Sequence, residues 1–261
     1  MRISIITPSF NQGAFIAQAV ESVLAQGCSD VEHIIVDNCS TDNTASVLAR
    51  YPHLKIIREK DKGQSDALNK GFKVATGDIV GWLNADDLYL PGCFAKVSAA
   101  FHRTTAADLV YGDYRLIDVG GNLICLRKEL PFDMFMLKYL HILCIPSTTT
   151  FFKRRIFDDG NFLDIACHYA MDYEFFVRLA LGGYRFVYTP DILADFRWHM
   201  DAKSQKQTCL QKQEMEQALL RHDPFLRVIP LPWRTAVRYG LMGVARFKRY
   251  FLKLLLAKYR T

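Results

Sequence analysis

Apolar residues along the chain follow two alternating rhythms. Short β-branched runs at residues 2–6, 32–36, 54–58 and 78–83 each stop at polar turn residues and read as strands. Between them, residues 15–26, 41–50 and 65–75 place apolar side chains three or four apart, as in Phe15, Ala19 and Val23 or Leu68, Phe72 and Ala75. That spacing predicts helices. Strand followed by helix, repeated over about the first hundred residues, implies an α/β fold with a mostly parallel sheet flanked by helices. In such sheets ligands collect beyond the carboxyl ends of the strands. After Phe101 the pattern loosens into strand-like pieces at 108–111 and 123–126, a mixed region containing Pro131 and Pro146, and a half-buried helix over Met171–Leu181. With no linker rich in Gly, Pro or Ser and no repeat, the expected partition is one continuous domain over 1–205 and a helical extension over 206–261.

Composition narrows the class. Half of the 261 residues are hydrophobic, which supports a substantial core. Seven cysteines (Cys28, Cys39, Cys93, Cys125, Cys144, Cys167 and Cys209) form no CxxC pair and are odd in number. They predict reduced, mostly buried thiols rather than a disulfide frame or a zinc site. The opening Met1–Pro8 is too short in apolar residues for a signal peptide, and no later run reaches bilayer length, so export by its own signal is not expected.

The charge of +6 is unevenly placed. From Trp233 to Thr261 there are eight basic residues and no acid, which leaves 25 basic against 27 acidic groups, or −2, on the rest. A basic tail on a near-neutral body argues against a nucleic-acid groove and for a local anionic partner of the tail.

The candidate chemistry lies where strands stop. The run from Asp78 to Asp87 is an apolar stretch ending in adjacent carboxylates, Asp86 and Asp87. Neighbouring anions repel, and a divalent cation with hard oxygen ligands relieves that while clamping a diphosphate. The competing reading makes both acids caps of a helix beginning near Pro91. Thr7–Asn11, Asp37–Asp42 and Asn84–Asp87 all fall at predicted strand ends, so three polar clusters share one rim. Neither GxGxxG nor GxxxxGK occurs, which leaves the phosphate role to a carboxylate-held metal.

Five motifs in order complete the picture. Ser4-Ile-Ile-Thr-Pro-Ser-Phe-Asn11, Ile34-Ile-Val-Asp-Asn-Cys-Ser-Thr-Asp-Asn-Thr44, Asp61-Lys-Gly-Gln-Ser-Asp-Ala-Leu-Asn-Lys-Gly71, Trp82-Leu-Asn-Ala-Asp-Asp87 and Ala170-Met-Asp-Tyr-Glu174, followed by Arg197-Trp-His199, closely resemble the family 2 glycosyltransferases. The likeness implies a GT-A type, Rossmann-like nucleotide-sugar-binding fold that transfers a sugar with inversion. It further implies a nucleotide-sugar half near 1–105 and an acceptor half near 106–205.

On that resemblance Asp37 meets the uracil or ribose, although an Asx-turn explains an Asp at that place as well. Thr41 and Asp42 read mainly as helix caps. Thr7 and Pro8 face the nucleotide, and Asp66 flanks the base. The family's DxD triplet is here Asn84-Ala85-Asp86, followed by Asp87; the first Asp is missing. Asn84 can meet a ribose but brings no charge. Asp86 is expected to ligate Mn²⁺ or Mg²⁺ directly, with Asp87 second or in the outer shell and His199 completing the set. Arg197 would face the diphosphate with its guanidinium fork. Asp172 is the candidate base, with a helix cap as its ordinary explanation. Glu174, two residues along a helix, should point away from it.

In the tail, Trp233, Val237, Leu241, Val244, Phe251 and Leu255 share one helical face, and most of the basic residues gather on the other. A membrane-surface anchor and a helix packed on the domain both fit, and the missing acids favour the membrane. The expected activity is transfer from a UDP-sugar to a hydroxyl of a glycan or lipid-linked oligosaccharide in surface polysaccharide synthesis. The expected place is the cytoplasm, at the inner face of the cell membrane. A silent nucleotide-sugar-binding or assembly subunit and a nucleotidyltransferase are the alternatives. The latter would carry a Gly- and Arg-rich phosphate loop after the first strand, which Thr7–Asn11 does not supply.

Overall fold

Strands β1 (Ile3–Ser9), β2 (Val31–Asp37) and β4 (Ile79–Trp82) are apolar on both faces because helices cover them on both sides. The computed structural model describes residues 1–140, 145–199 and 208–256. β3 (Lys55–Arg58), β2, β1 and β4 lie side by side in that order, all parallel. Chain order reverses between β1 and β4, which opens a crevice at their carboxyl ends. Side chains alternate with the pleat: Ile6, Val36 and Val80 pack under one helical layer, and Ile3, Ile5 and Ile79 under the other.

The first layer holds α3 (Gln64–Val74), α6 (Arg155–Asp158) and α7 (Met171–Leu181); the second holds α1 (Ile16–Leu24) and α4 (Cys93–Arg103). A Cβ at Gly71 would sit 2.4 Å from Cγ2 of Ile6, so glycine lets α3 approach β1 closely. The helix predicted over 41–50 is shortened to α2 (Thr44–Leu48). Its missing first turn is a loop in which Asp42 accepts the backbone N–H groups of Gly13 and Thr44.

The second half of the sheet is largely antiparallel. β8 (Phe151–Lys153) pairs antiparallel with β4 and with β6 (Leu109–Ile117), and β7 (Leu123–Arg127) joins β6 as an antiparallel neighbour. β9 (Phe186–Arg197) runs parallel to β6 and antiparallel to β5 (Leu88–Tyr89). Two register irregularities carry it past Pro190, so that it runs for 12 residues. A short helix, α5 (Met134–Tyr139), occupies the mixed region, capped by the Asp133 carboxylate on Met136 N–H.

Behind β9 come α8 (Thr208–His222), α9 (Pro224–Val228) and α10 (Leu231–Leu255). Met215 and Ala218 of α8 join the central core, so this helix is continuous with the sheet domain. α10 packs Leu241 and Ala245 against Tyr139 and Leu140. The apolar face predicted for the tail is therefore divided: Leu241 turns inward, while Trp233, Val244, Phe251 and Leu255 remain exposed.

The six described cysteines are free, and only Cys93 and Cys167 are buried, which corrects the expectation of mostly buried thiols. Cys144 lies outside the described residues.

Candidate active site

Loops at the carboxyl ends of β1, β4 and β9 enclose a cavity of about 560 Å³ together with the start of α7. The loops after β1 and β2 hold strained backbone: Asn11 and Cys39 adopt φ of 54° and 52°. They brace each other, since Ser40 accepts the Asn11 N–H and the Asn11 side chain accepts that of Thr41.

Pro8, Asn84, Asp86, Asp87, Asp172, Arg197 and His199 all line this cavity. Thr7, Asp37 and Asp66 lie beside it, next to lining residues rather than among them. Thr7 is buried against His33, with 2.9 Å between its hydroxyl and the ring Nε2. Asp37 is buried, accepts the Ser40 hydroxyl and N–H, and faces Arg58 at 3.5 Å, the local turn pattern its sequence also allowed. Asp66 accepts the Lys62 N–H from the first turn of α3.

The acidic run has two distinct halves. Asp86 points its Oδ2 at Nε2 of His199, 2.9 Å away, and that imidazole stacks on Phe15 at 5.7 Å. Asp87 turns into the protein, where it accepts the Arg197 N–H (2.9 Å), the Thr148 hydroxyl (2.7 Å) and the Asn84 amide (2.9 Å). Burial, with the neighbouring Asp86 charge, pushes the Asp87 carboxyl up to about 7 against those three donors. Neither acid caps α4, because β5 intervenes.

Asn84 is fixed on both sides. The Trp82 indole N–H and the Gln64 amide both donate to its Oδ1 at 2.9 Å. An indole N–H is donor only, so the Asn84 nitrogen must be the atom that faces Asp87. An amide at this position therefore has a structural reason that a carboxylate would not satisfy.

Arg197 is only 2% exposed. Its Nε donates to Asp86 O (2.9 Å), its Nη1 to Asp118 O and Val119 O, and its Nη2 to Gln18 Oε1 (2.7 Å). The fork expected to meet a diphosphate is engaged by protein acceptors that tie β9 to the Asp86 backbone.

Asp172 stands in the first turn of α7, where Ala170 is the N-cap, and it accepts the Tyr173 N–H at 2.8 Å. Glu174 points into the core, held by Arg178 at 2.9 Å and His222 at 2.8 Å, well separated in role from Asp172. The start of α7 is capped from outside: the Glu214 carboxylate of α8 accepts the N–H groups of His168, Tyr169 and Ala170. Burial opposes ionisation of Glu214, but these donors outweigh it and hold the carboxyl below its usual range.

Asp86 and His199 together offer one carboxylate and one imidazole. Among the described residues no group of three or more His, Cys, Asp or Glu could hold a metal alone. The pair fits a divalent ion that takes its remaining oxygens from a diphosphate and water. Sequence reasoning missed Asn38, Asp61, Tyr114, Glu129 and Tyr169 on the cavity wall. Asp61 was within reach of motif reading, whereas Tyr114 and Glu129 come from the antiparallel half, which carries no motif.

The glycosyl transferase family 2 model matches residues 4–171, a span that includes the loops after β1, β2 and β4. The chain belongs to this family. The PGL/p-HBAD biosynthesis glycosyltransferase of Mycobacterium bovis (BCG) is 30% identical over 181 residues, 67% of this chain and 68% of that protein. Matches to curated relatives span from 27% to 68% of the relatives' own lengths. The fold of this glycosyltransferase is shared with S. aureus TarS 1–349 in complex with UDP-GlcNAc (TM-score 0.65, 17% identity, 94% of this chain and 79% of that one). It is shared also with the mannosyltransferase PcManGT of Pyrobaculum calidifontis in complex with GDP-Man and Mn²⁺ (TM-score 0.63, 20% identity, 94% and 73%).

Proposed function

We propose that this glycosyltransferase moves a sugar, with inversion, from a nucleoside diphosphate donor to a hydroxyl of a glycan or lipid-linked oligosaccharide in surface polysaccharide synthesis. A UDP-sugar is the favoured donor. The observation that carries the reading is the convergence of Asp86, His199 and Asp172, distant in sequence, on one cavity at the carboxyl ends of β1 and β4.

In this reading Asp172 removes the proton from the acceptor hydroxyl as that oxygen attacks the anomeric carbon opposite the leaving diphosphate. The α8 carboxylate Glu214 holds the start of α7 and thereby sets the position of Asp172. Asp86 and His199 are the groups that would hold Mn²⁺ or Mg²⁺, which when bound offsets the charge gathering on the diphosphate. Asp87, Asn84 and Arg197 keep the Asp86 loop in place. The absent first Asp does not favour a silent binder, because Asn84 is matched to the buried Asp87 carboxylate.

A panel of nucleotide sugars, each with and without Mn²⁺, tests the donor assignment through the unfolding midpoint, since a ligand bound only by the folded chain raises it. A UDP-sugar is expected to protect in the presence of the ion. Equal midpoints across the whole panel would overturn the reading.

A further inference from the structure

The outer face of α10 is uncharged along its whole length. At about 100° per residue, Trp233, Tyr239, Val244, Phe247, Tyr250 and Phe251 fall on the side opposite Ala245, with Ala236, Gly240 and Gly243 between them. Trp233 is 67% and Phe247 71% exposed, and the other four are exposed as well. Phe225 and Val228 of α9 are exposed as well. A patch of this kind on a folded chain needs an occupant.

The helix is anchored from its inner side. Arg238 pairs with Glu216 of α8, and Lys248 pairs with Asp133 at the start of α5. These contacts fix which face looks outward. Arg246 and Lys253 flank the apolar strip.

We propose that this face lies on an anionic membrane surface, its aromatic residues seated at the boundary between headgroups and acyl chains. Aromatic side chains with polar tips, such as Trp233, Tyr239 and Tyr250, suit that depth. No helix of the described residues is long and apolar enough to cross a membrane, so α10 rests on the surface rather than spanning it. Charge decides against a second copy of the chain. Of the eight basic residues from Trp233 onward, Arg238 and Lys248 are paired with acids on the inner side; the other six, with no acid in that stretch, would repel their counterparts across a face-to-face pair, whereas anionic lipid attracts them.

The test is co-sedimentation of the full chain with vesicles of phosphatidylcholine, alone or mixed with phosphatidylglycerol. Wild type should pellet with the anionic vesicles, less so at high salt. Phe247→Glu with Phe251→Glu should lower binding by about tenfold or more at an unchanged unfolding midpoint. A second measurement needs no charge insertion: anionic vesicles should shift tryptophan emission to the blue in wild type but not in Trp233→Phe. Equal pelleting of wild type and the double variant, or no emission shift in wild type, would overturn the proposal. So would a wild-type dimer, dissociated by the double variant, that leaves vesicles unbound; that result assigns the face to a second copy.

Discussion

Asn84→Asp would rebuild the acidic triplet of the family, and on motif grounds alone it should strengthen the metal site. The structure gives the opposite expectation. The replacement carboxylate would place an oxygen where the Asn84 amide nitrogen now donates to Asp87 Oδ2 over 2.9 Å. Two ionised carboxylates at that separation repel by about 6 kcal/mol at an effective dielectric near 20. The pair escapes that cost by keeping a proton. Asp87 already holds its proton up to about 7, for burial and the Asp86 charge disfavour its anion. Near neutral pH the loss is therefore close to that of one hydrogen bond to a buried group, about 1–3 kcal/mol. Each pH unit above neutral adds about 1.4 kcal/mol while the proton is retained. For a chain of this size that is a drop of roughly 3–10 °C in the unfolding midpoint, steeper in alkali. Thermal unfolding across pH, with and without Mn²⁺, measures it. An Asn84→Asp protein as stable as wild type and tighter for Mn²⁺ would refute the reasoning.

Five further outcomes are expected. Glu214→Ala removes the acceptor of three backbone N–H groups at the start of α7, so stability should fall by about 2–4 kcal/mol and transfer should fall with donor binding kept. Because the folded state holds the Glu214 carboxyl below its ordinary value of 4.5, its contribution is complete above 4.5 and is lost as pH falls through the depressed value, a slope absent in Glu214→Gln. His33, lowered from 6.5 to about 3 by burial and then by His53, should make wild type lose stability as pH falls from 6.5 toward 3; urea titrations of His33→Leu should lack that segment of the profile. Arg197→Lys keeps the charge but not the fork, and a loss of about 2–4 kcal/mol in denaturant unfolding would show that the guanidinium holds the Asp86 loop. His199→Ala should abolish Mn²⁺-dependent donor protection with little change in the metal-free midpoint, read by calorimetry.

Much of the parallel half was legible in the sequence because its signals are local. Ile34-Ile-Val and Ile79-Val are β-branched runs, and the spacing of Leu68 and Phe72 marks a helix face, so element type follows from neighbours alone. The cavity was legible only where strand ends carry acids or amides. Asp86 and His199 meet as expected, yet the sequence could not show that Asp87 faces inward, since adjacent residues after a strand point in directions set by long-range partners such as Thr148 and the Arg197 N–H. The same limit applies to Arg197, whose fork is filled by carbonyls from Asp118 and Val119 that no motif joins to it. Glu214 lies on a helix with weak amphipathic signal, and its capping role depends on how α8 crosses α7. The division of α10 escaped periodicity for a related reason: its apolar arc is wider than one contact strip, and only the packing of Ala245 on α5 decides which part stays outside.

The central claim is that Asp172 acts on an acceptor within the cavity where Asp86 and His199 hold the donor. It is tested most directly by Asp172→Asn, assayed on the same preparation for Mn²⁺-dependent donor binding and for sugar transfer to an acceptor. Donor protection should equal that of wild type, and transfer should fall by about a hundredfold or more. Transfer at the wild-type rate, or loss of donor binding together with transfer, would contradict it.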